Sequence, residues 1–305
     1  MILKLYLLFI IIGICVILFA YLRIEKFENE YNIIYPYEDE IKSVLVSKQY
    51  FSFFKLMDAQ ARNIKLDFQD FSEKYTSSII PLTDQEKIKF NIFYKNIVDS
   101  IPSKKRHLLL IPNLKIAKFN NIENNFPHTH NDIIFLSQSF INNLDTPSHR
   151  KTLIHEICHI RQRQSPTMYD QLFYQWEFNS ISLEYMKQHF PKDIINRIRI
   201  NPDELPDYRF WVWNQKIVPL VIYSSFNSIN INDVKYIALN WKDKKTYDSL
   251  ESIDSYNTHF NIGVNHYHPN EILAEYYAKY YQEVIGEGTL LDTEAYDTFK
   301  TFINK

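Results

Sequence analysis

Residues 155–159 read His-Glu-Ile-Cys-His, a spacing that predicts a helix with metal-binding side chains on one face. On an α-helix, positions i and i+4 lie one turn apart on the same side. His155 and His159 can therefore direct two imidazole nitrogens at one metal ion, and Glu156 lies beside them. The pattern indicates a metal site carried by a helix that crosses the core of a domain.

The residues around the two histidines are apolar on nearly every side of the predicted helix. They are Leu153, Ile154, Ile157, Cys158 and Ile160. Imidazoles and a carboxylate in such a helix are costly to bury unless they are paired or bound to a metal. A surface helix with chance polar residues is therefore the weaker interpretation, and we interpret Cys158 as core packing.

Local signals also predict where this helix begins and ends. Thr146 or Asp145 can serve as the N-cap, and Pro147 suits the first helical position. Ser165-Pro166 marks a stop. These signals predict a helix from Pro147 to about Gln164.

A zinc site requires a third protein ligand. One large class of zinc peptidases places a histidine six residues after the second, with a glycine between them. Gln162 and Ser165 stand at those two positions, so that class is excluded. Residues 268–275 are a better candidate, because Pro269 can open a second helix on which Glu271 and Glu275 share a face. This helix is expected to run from Pro269 to about Val284. Two carboxylates one turn apart indicate a cation opposite them.

At this point the chain resembles the gluzincins, the thermolysin-like clan of zinc peptidases. Their pattern of His-Glu-x-x-His, followed on a later helix by Asn-Glu-x-x-Ala/Ser-Asp/Glu, is matched by His155, Glu156 and His159, then Asn270, Glu271, Ala274 and Glu275. The resemblance covers only these two segments, which lie more than 100 residues apart, farther than in thermolysin. It therefore implies a site and not a whole fold.

The resemblance implies a role for each residue of the site. His155, His159 and Glu271 would ligate one Zn²⁺ ion, and Glu156 would be the general base. Glu275 would accept a hydrogen bond from a ligand histidine. The implied activity is that of a zinc metallopeptidase, with a peptide or protein as substrate.

Strand patterns precede the predicted metal helix. Residues 106–118 and 132–137 are rich in apolar and β-branched side chains. In zinc peptidases of this kind, the edge strand of a short sheet binds extended peptide. We therefore expect an α+β fold with a zincin-like catalytic domain over residues 106–305, in which residues 132–137 form the edge strand. The alternative is an ordinary mixed domain whose sheet binds no ligand.

Four further histidines accompany these elements. His128 and His130 precede the predicted edge strand, where solvated or hydrogen-bonded loop residues are the preferred interpretation. His266 and His268 precede the second helix, and one of them, or Tyr267, could hydrogen-bond the oxyanion formed during attack on a carbonyl. The sequence does not choose among these three.

The amino terminus predicts a membrane anchor over residues 1–24. Leu5 to Leu22 are 18 uncharged, mostly apolar residues between Lys4 and Arg23, about 27 Å as a helix. A cleaved signal peptide is the alternative, but no small-x-small cleavage site follows. We expect a single-pass membrane protein, tethered by an uncleaved anchor, with the side of the membrane unresolved.

The rest of the chain predicts further helices and strands. Residues 25–105 are expected to be a helical region, with a capping box at Thr83 and Glu86. Residues 166–190 repeat the helical pattern, whereas residues 217–223 and 234–241 resemble strands. The segments between the two motifs are expected to build one wall of the peptide-binding cleft, opposite the predicted edge strand.

Composition limits the possible functions. The net charge of −2 gives no reason to expect nucleic acid, and the two cysteines, Cys15 and Cys158, cannot form a disulfide framework. Three rivals to a peptidase remain: a zinc-stabilised, non-catalytic binding protein, a membrane-tethered scaffold without metal, and a zinc hydrolase acting on other bonds. A structural zinc site would need a fourth protein ligand, for which Cys158 or His268 are candidates.

Overall fold

The structure is a computed structural model, and it describes residues 12, 31–144, 146–204, 209–226, 229–261, 263 and 265–305. The helices are α1 (Glu38–Leu45), α2 (Lys48–Ser52), α3 (Leu56–Ala61), α4 (Phe68–Ser78), α5 (Asp84–Ser100), α6 (Ser103–Leu109), α7 (Gln138–Asn142), α8 (Pro147–Gln164), α9 (Pro166–Gln175), α10 (Leu183–His189), α11 (Lys192–Arg197), α12 (Asp254–Phe260), α13 (Pro269–Val284) and α14 (Glu294–Ile303). Short 3₁₀ helices span Glu123–Asn125, Pro202–Glu204 and Leu250–Ser252.

The strands form two sheets, so the fold is mixed α+β. They are β1 (Ile33–Ile34), β2 (Ile79–Ile80), β3 (Leu114–Phe119), β4 (His128–His130), β5 (Ile133–Ser137), β6 (Phe178–Ile181), β7 (Phe210–Trp213), β8 (Ile217–Tyr223), β9 (Val234–Asn240) and β10 (Thr246–Tyr247). The first sheet has the order β1-β3-β5-β4, with β2 also paired to β3. The second has the order β10-β9-β8-β7-β6 and is antiparallel throughout.

Both faces of the first sheet are buried. Side chains alternate along a strand, so Ile134 and Leu136 of β5 join the core that also contains α5, α8 and α13. Ile133 and Phe135 point to the other face and join a second core, formed with α1–α4, α10 and one face of the second sheet. This double burial explains why β5 is a continuous apolar run.

Two helices predicted from local signals have the predicted bounds. Thr146 Oγ1 accepts from His149 N at 3.1 Å at the start of α8, and Ser165 caps its end. Asp145, the other predicted N-cap, lies outside the described residues. α13 begins at Pro269 and ends at Val284, as expected. The two helices pack along each other more extensively than any other two helices among the described residues.

The expected transmembrane helix is corrected. The predicted anchor, residues 1–24, lies outside the described residues except for Ile12. Among the residues that the structure does describe, no helix has both the length and the apolar character needed to cross a bilayer. The longest of them, α8, carries the charged residues Arg150, Lys151, Glu156, Arg161 and Arg163. The expected fold is therefore corrected to a mixed α+β fold without a transmembrane helix among the described residues, and these residues give no support to the expected single-pass membrane location.

Several other expected elements differ from the structure. Residues 106–109 belong to helix α6, and the strand begins only at Leu114, after Pro112 has interrupted the apolar run. Residues 166–190 are two helices separated by β6, because Glu177 has a φ of 65° and turns the chain between them. The expected helical region also contributes two strands, β1 and β2, to the first sheet.

Candidate metal centre

The packing of α8 against α13 brings three potential metal ligands together. The Nε2 atoms of His155 and His159 lie 3.1 Å apart on adjacent turns of α8. Glu271, in the first turn of α13, places one carboxylate oxygen 3.4 Å from His155 Nε2 and the other 3.7 Å from His159 Nε2. The donor atoms of all three residues lie within 4.8 Å of one another, so the group could hold a metal ion.

Gln162 determines the tautomer of His159. The amide nitrogen of Gln162 donates to the carbonyl oxygen of Asn270 at 2.8 Å, and that oxygen can only accept. The amide oxygen of Gln162 therefore faces His159 Nδ1, 2.9 Å away, and Nδ1 must carry the proton. The Nε2 atom of His159, 3.1 Å from His155 Nε2 and 3.7 Å from Glu271 Oε1, then carries the lone pair. Burial also lowers the pKa of His159 to about 3, which favours the neutral ring that binds metals.

Glu275 lies beside Nδ1 of His155, as Gln162 lies beside Nδ1 of His159. One carboxylate oxygen of Glu275 lies 3.4 Å from His155 Nδ1, and the other lies 3.0 Å from Lys151 Nζ. Burial opposes the charge of Glu275, but the hydrogen bond with His155 and the nearby positive charges lower its pKa to about 2. Burial likewise opposes a charge on His155, yet the contacts with Glu271 and Glu275 raise its pKa well above the usual value.

Glu156 is buried beside this group with an unused oxygen. The residue is 4% exposed, and its Oε2 atom has no hydrogen-bond partner among the described residues. Burial raises the pKa of Glu156 well above its usual range, and the negative charge of Asp203 raises it further. A buried carboxylate poised in this way can accept a proton from a water molecule beside it.

His155, Glu156, Glu271 and Glu275 border a cavity of about 400 Å³, and His159 is fully buried. The opposite wall comes from the segment between the two motifs and includes Arg199, Asn201, Asp203 and Tyr236. Asn201 Nδ2 donates to Glu271 Oε1 and to the hydroxyl oxygen of Tyr267, both at 2.8 Å. The cavity is large enough for a short peptide segment beside the candidate ligands.

Arg163 attaches this wall to α8. Its guanidinium donates to the carbonyl oxygens of Pro202 and Asp203, at 3.2 and 3.1 Å, and to Thr129 of β4. Asp203 Oδ1 in turn accepts from the backbone nitrogen and the hydroxyl of Thr129, each at 2.7 Å. Sequence reasoning missed Arg163, although it follows His159 by four residues on the same helix face. Asn201 and Asp203 carried no recognisable local signal.

The edge of the first sheet differs from the expected substrate-binding strand. β5 lies between β3 and β4, so β4 is the edge strand. Thr129 at its centre uses its backbone nitrogen for Asp203 and its carbonyl oxygen for Arg163, at 2.7 and 3.2 Å. An extended peptide could pair with β4 at this point only by displacing those contacts.

The other histidines considered in the sequence analysis occupy different places in the structure. His128 and His130 were expected in a loop but are buried in β4, where Nδ1 of His128 contacts the carbonyl oxygen of Phe126 at 2.9 Å. His268 caps α13 by accepting from Asn270 N at 3.1 Å. Of the three candidates for oxyanion stabilisation, Tyr267 is the one that lines the cavity.

The donor set fits a divalent cation. If His155 also carries its proton on Nδ1, toward Glu275, two imidazole lone pairs and a carboxylate converge on one point. Electron-rich atoms held this close repel one another unless a positive charge lies among them: either a proton on His155, which its raised pKa favours, or a metal ion that displaces that proton. Neither Cys158 nor His268 belongs to the group, among the residues that the structure describes.

Comparison with known proteins adds no relative: no family model, curated protein or solved structure matches this chain. The likeness to gluzincins therefore rests on residues of α8 and α13 alone.

Proposed function

We propose that this chain is a zinc-dependent hydrolase that cleaves peptide bonds. One observation carries the proposal: a buried carboxylate with a free oxygen, Glu156, lies beside three convergent metal-binding side chains at the wall of a cavity. Two neutral imidazoles and one carboxylate are the ligand set that catalytic zinc sites use when one coordination position stays open.

Each residue of the site would have a distinct role in the reaction. A bound zinc ion would supply a Lewis acid that polarises the carbonyl and lowers the pKa of a water molecule. Glu156 takes one proton from the attacking water as the new C–O bond forms. It then delivers that proton to the amide nitrogen as the C–N bond breaks, so one water is consumed for each carboxylic acid and amine released. Gln162 and Glu275 hold the two imidazole rings in place.

A purely structural zinc site is less well supported. Such a site is closed by a fourth protein ligand. Cys158 is fully buried and accepts from Gln162 Nε2 at 3.6 Å, while the ring nitrogens of His268 face the backbone of Asn270 and Arg209. Neither is directed at His155 and His159, and the position facing the cavity is left for substrate.

The test compares the wild-type protein with Glu156→Gln, which preserves shape and removes the base. We expect stoichiometric zinc in both proteins by elemental analysis. Cleavage of a quenched fluorescent peptide library should fall by about 10²- to 10⁴-fold in the variant. Glu184→Gln, on the exposed face of α10, serves as a matched control with unchanged activity.

Two outcomes would overturn the proposal. If wild-type protein loaded with zinc cleaves no peptide, it is not a peptidase. If Glu156→Gln keeps full activity, Glu156 is not the base and the cleavage has another origin.

A further inference from the structure

We propose that Arg199 anchors a substrate carboxylate next to the metal centre, so that the cavity selects peptides with an anionic group just beyond the scissile bond. This inference rests on the proposed function, since it names the substrate class of the same site. The anionic group can be the C-terminal carboxylate of the peptide or the side chain of an aspartate or glutamate.

Arg199 has a fixed backbone and an incompletely paired side chain. Its backbone nitrogen donates to the carbonyl oxygen of Val221 at 3.1 Å, which ties the residue to the second sheet. Its partly buried side chain lines the cavity and donates from Nη2 to the hydroxyl of Tyr267 at 3.4 Å. The Nε atom is buried, and no partner for it occurs in the described part of the chain.

The other cationic side chains of the cavity are neutralised. Arg62 forms ion pairs with Glu123 at 2.9 Å and with Asp58 at 3.5 Å. Lys151 forms one with Glu275 at 3.0 Å. For Arg199, by contrast, no carboxylate of the described residues lies within ion-pair distance of 4.0 Å. A guanidinium partly withdrawn from water without a counter-charge is costly, and an anionic ligand would reduce that cost.

Glu204 is the acidic residue that could supply a counter-charge to Arg199. It borders a small cavity together with Arg199 and Tyr267, but it forms no ion pair with Arg199. Burial raises the pKa of Glu204 well above its usual value, with a further contribution from Glu271, although the charge of Arg199 acts in the opposite direction. A protonated Glu204 leaves the charge of Arg199 available to a ligand.

The position of Arg199 suits a group close to the scissile bond. A series of hydrogen bonds connects Arg199 to Glu271 Oε1 through the Tyr267 hydroxyl and the Asn201 amide. One peptide residue spans at most about 3.6 Å. A carboxylate one or two residues beyond the reacting carbonyl therefore reaches Arg199, whose planar guanidinium can bind both oxygens of a carboxylate.

The experiment uses matched quenched fluorescent peptides. One pair shares a sequence and differs only in a free or an amidated C-terminus, one residue beyond the cleaved bond. A second pair has amidated ends and carries aspartate or asparagine at that position. Each pair is assayed with wild type, Arg199→Met and the control Arg197→Met, whose guanidinium donates to the carbonyl oxygens of Tyr223 and Ser224 instead.

We expect wild type and Arg197→Met to cleave the anionic member of at least one pair about 10- to 100-fold more efficiently, by kcat/KM, than its neutral partner. Arg199→Met should reduce that ratio to near one. The ratio is measured within one enzyme preparation, so partial unfolding of a variant does not change it. The pair that shows the preference identifies whether the terminal carboxylate or the side chain is bound.

A binding measurement separates this inference from the proposed function. Zinc-loaded Glu156→Gln is titrated calorimetrically with the same free and amidated peptides, which requires no turnover. Equal affinity for anionic and neutral peptides, or an undiminished preference in Arg199→Met, refutes the role of Arg199. If peptides are cleaved without any charge preference, the hydrolase proposal stands and this inference fails. If anionic peptides bind more tightly than neutral ones but wild type cleaves no peptide, the role of Arg199 stands and the hydrolase proposal fails.

Discussion

Gln162 orients His159 and joins it to α13. Its amide oxygen lies 2.9 Å from His159 Nδ1, while its amide nitrogen donates to the carbonyl oxygen of Asn270 at 2.8 Å. One side chain thus sets the tautomer of a candidate ligand and fixes the start of α13, from which Glu271 projects. The ligand geometry therefore depends on a residue that is not itself a ligand.

The first prediction concerns Gln162→Leu. Loss of the amide removes the acceptor for His159 Nδ1 and frees the ring to rotate, so zinc affinity should fall about 10- to 100-fold. Competition with a chromophoric chelator measures the change. Gln164→Leu, two residues farther along and exposed, should keep wild-type affinity. Unchanged zinc binding in Gln162→Leu would show that the ring is held by other contacts.

The second prediction distinguishes the two glutamates of α13. Glu271→Ala should fall below one zinc per chain, because it removes an oxygen that lies 3.4 Å from His155 Nε2. Glu275→Ala should retain zinc with reduced affinity, since Glu275 faces Nδ1 of the same ring. Elemental analysis after dialysis reports both values. Stoichiometric zinc in Glu271→Ala together with its loss in Glu275→Ala would move the ligand by one turn of the helix.

The third prediction concerns a buried ion pair on the far side of the cavity. Both carboxylate oxygens of Glu123 accept from the Arg62 guanidinium at 2.9 Å, and Tyr50 and Tyr75 also donate to Glu123. Burial alone would raise the pKa of Glu123, but Arg62 and the nearby His128 help to lower it from 4.5 to about 2. A lowered acid pKa stabilises the fold above about pH 4.5, and this stabilisation is lost as the pH falls toward 2.

The loss should be on the order of 3 kcal/mol in the free energy of unfolding. Urea titrations of wild type at several pH values between 6 and 2 measure it. Glu123→Gln should be less stable at neutral pH, by about 3–5 kcal/mol, because Arg62 loses its counter-charge. Its stability should also change less with pH over this range than that of wild type or of the exposed control Glu184→Gln. Parallel pH profiles for all three proteins would contradict the assignment.

Local patterns predicted the elements whose signals lie within one segment. α8 and α13 have their expected bounds, β8 matches the expected strand 217–223, and β9 ends one residue before expected. The capping box at Thr83 and Glu86 is confirmed, with hydrogen bonds of 2.8 and 3.2 Å. Each of these depends on a cap, a proline or a run of apolar residues, which act over a few positions.

Errors occurred where tertiary contacts decide the outcome. Residues 106–109 became helix, and β6 separated two helices because it pairs with the distant strand β7. β4 is extended because it pairs with β5 and contacts Arg163 and Asp203, none of which its own residues indicate. Propensity is a weak guide in such segments.

The sequence by itself determined one half of the candidate centre, because His155, Glu156 and His159 are placed by the fixed geometry of a single helix. Only the tertiary structure brought Glu271 to them, since α8 and α13 are separated by more than 100 residues and meet through side-chain packing. The cavity wall that carries Arg199, Asn201 and Asp203 likewise depends on contacts between distant segments. Such contacts form when apolar surface is buried collectively, and no short pattern in the chain encodes that process.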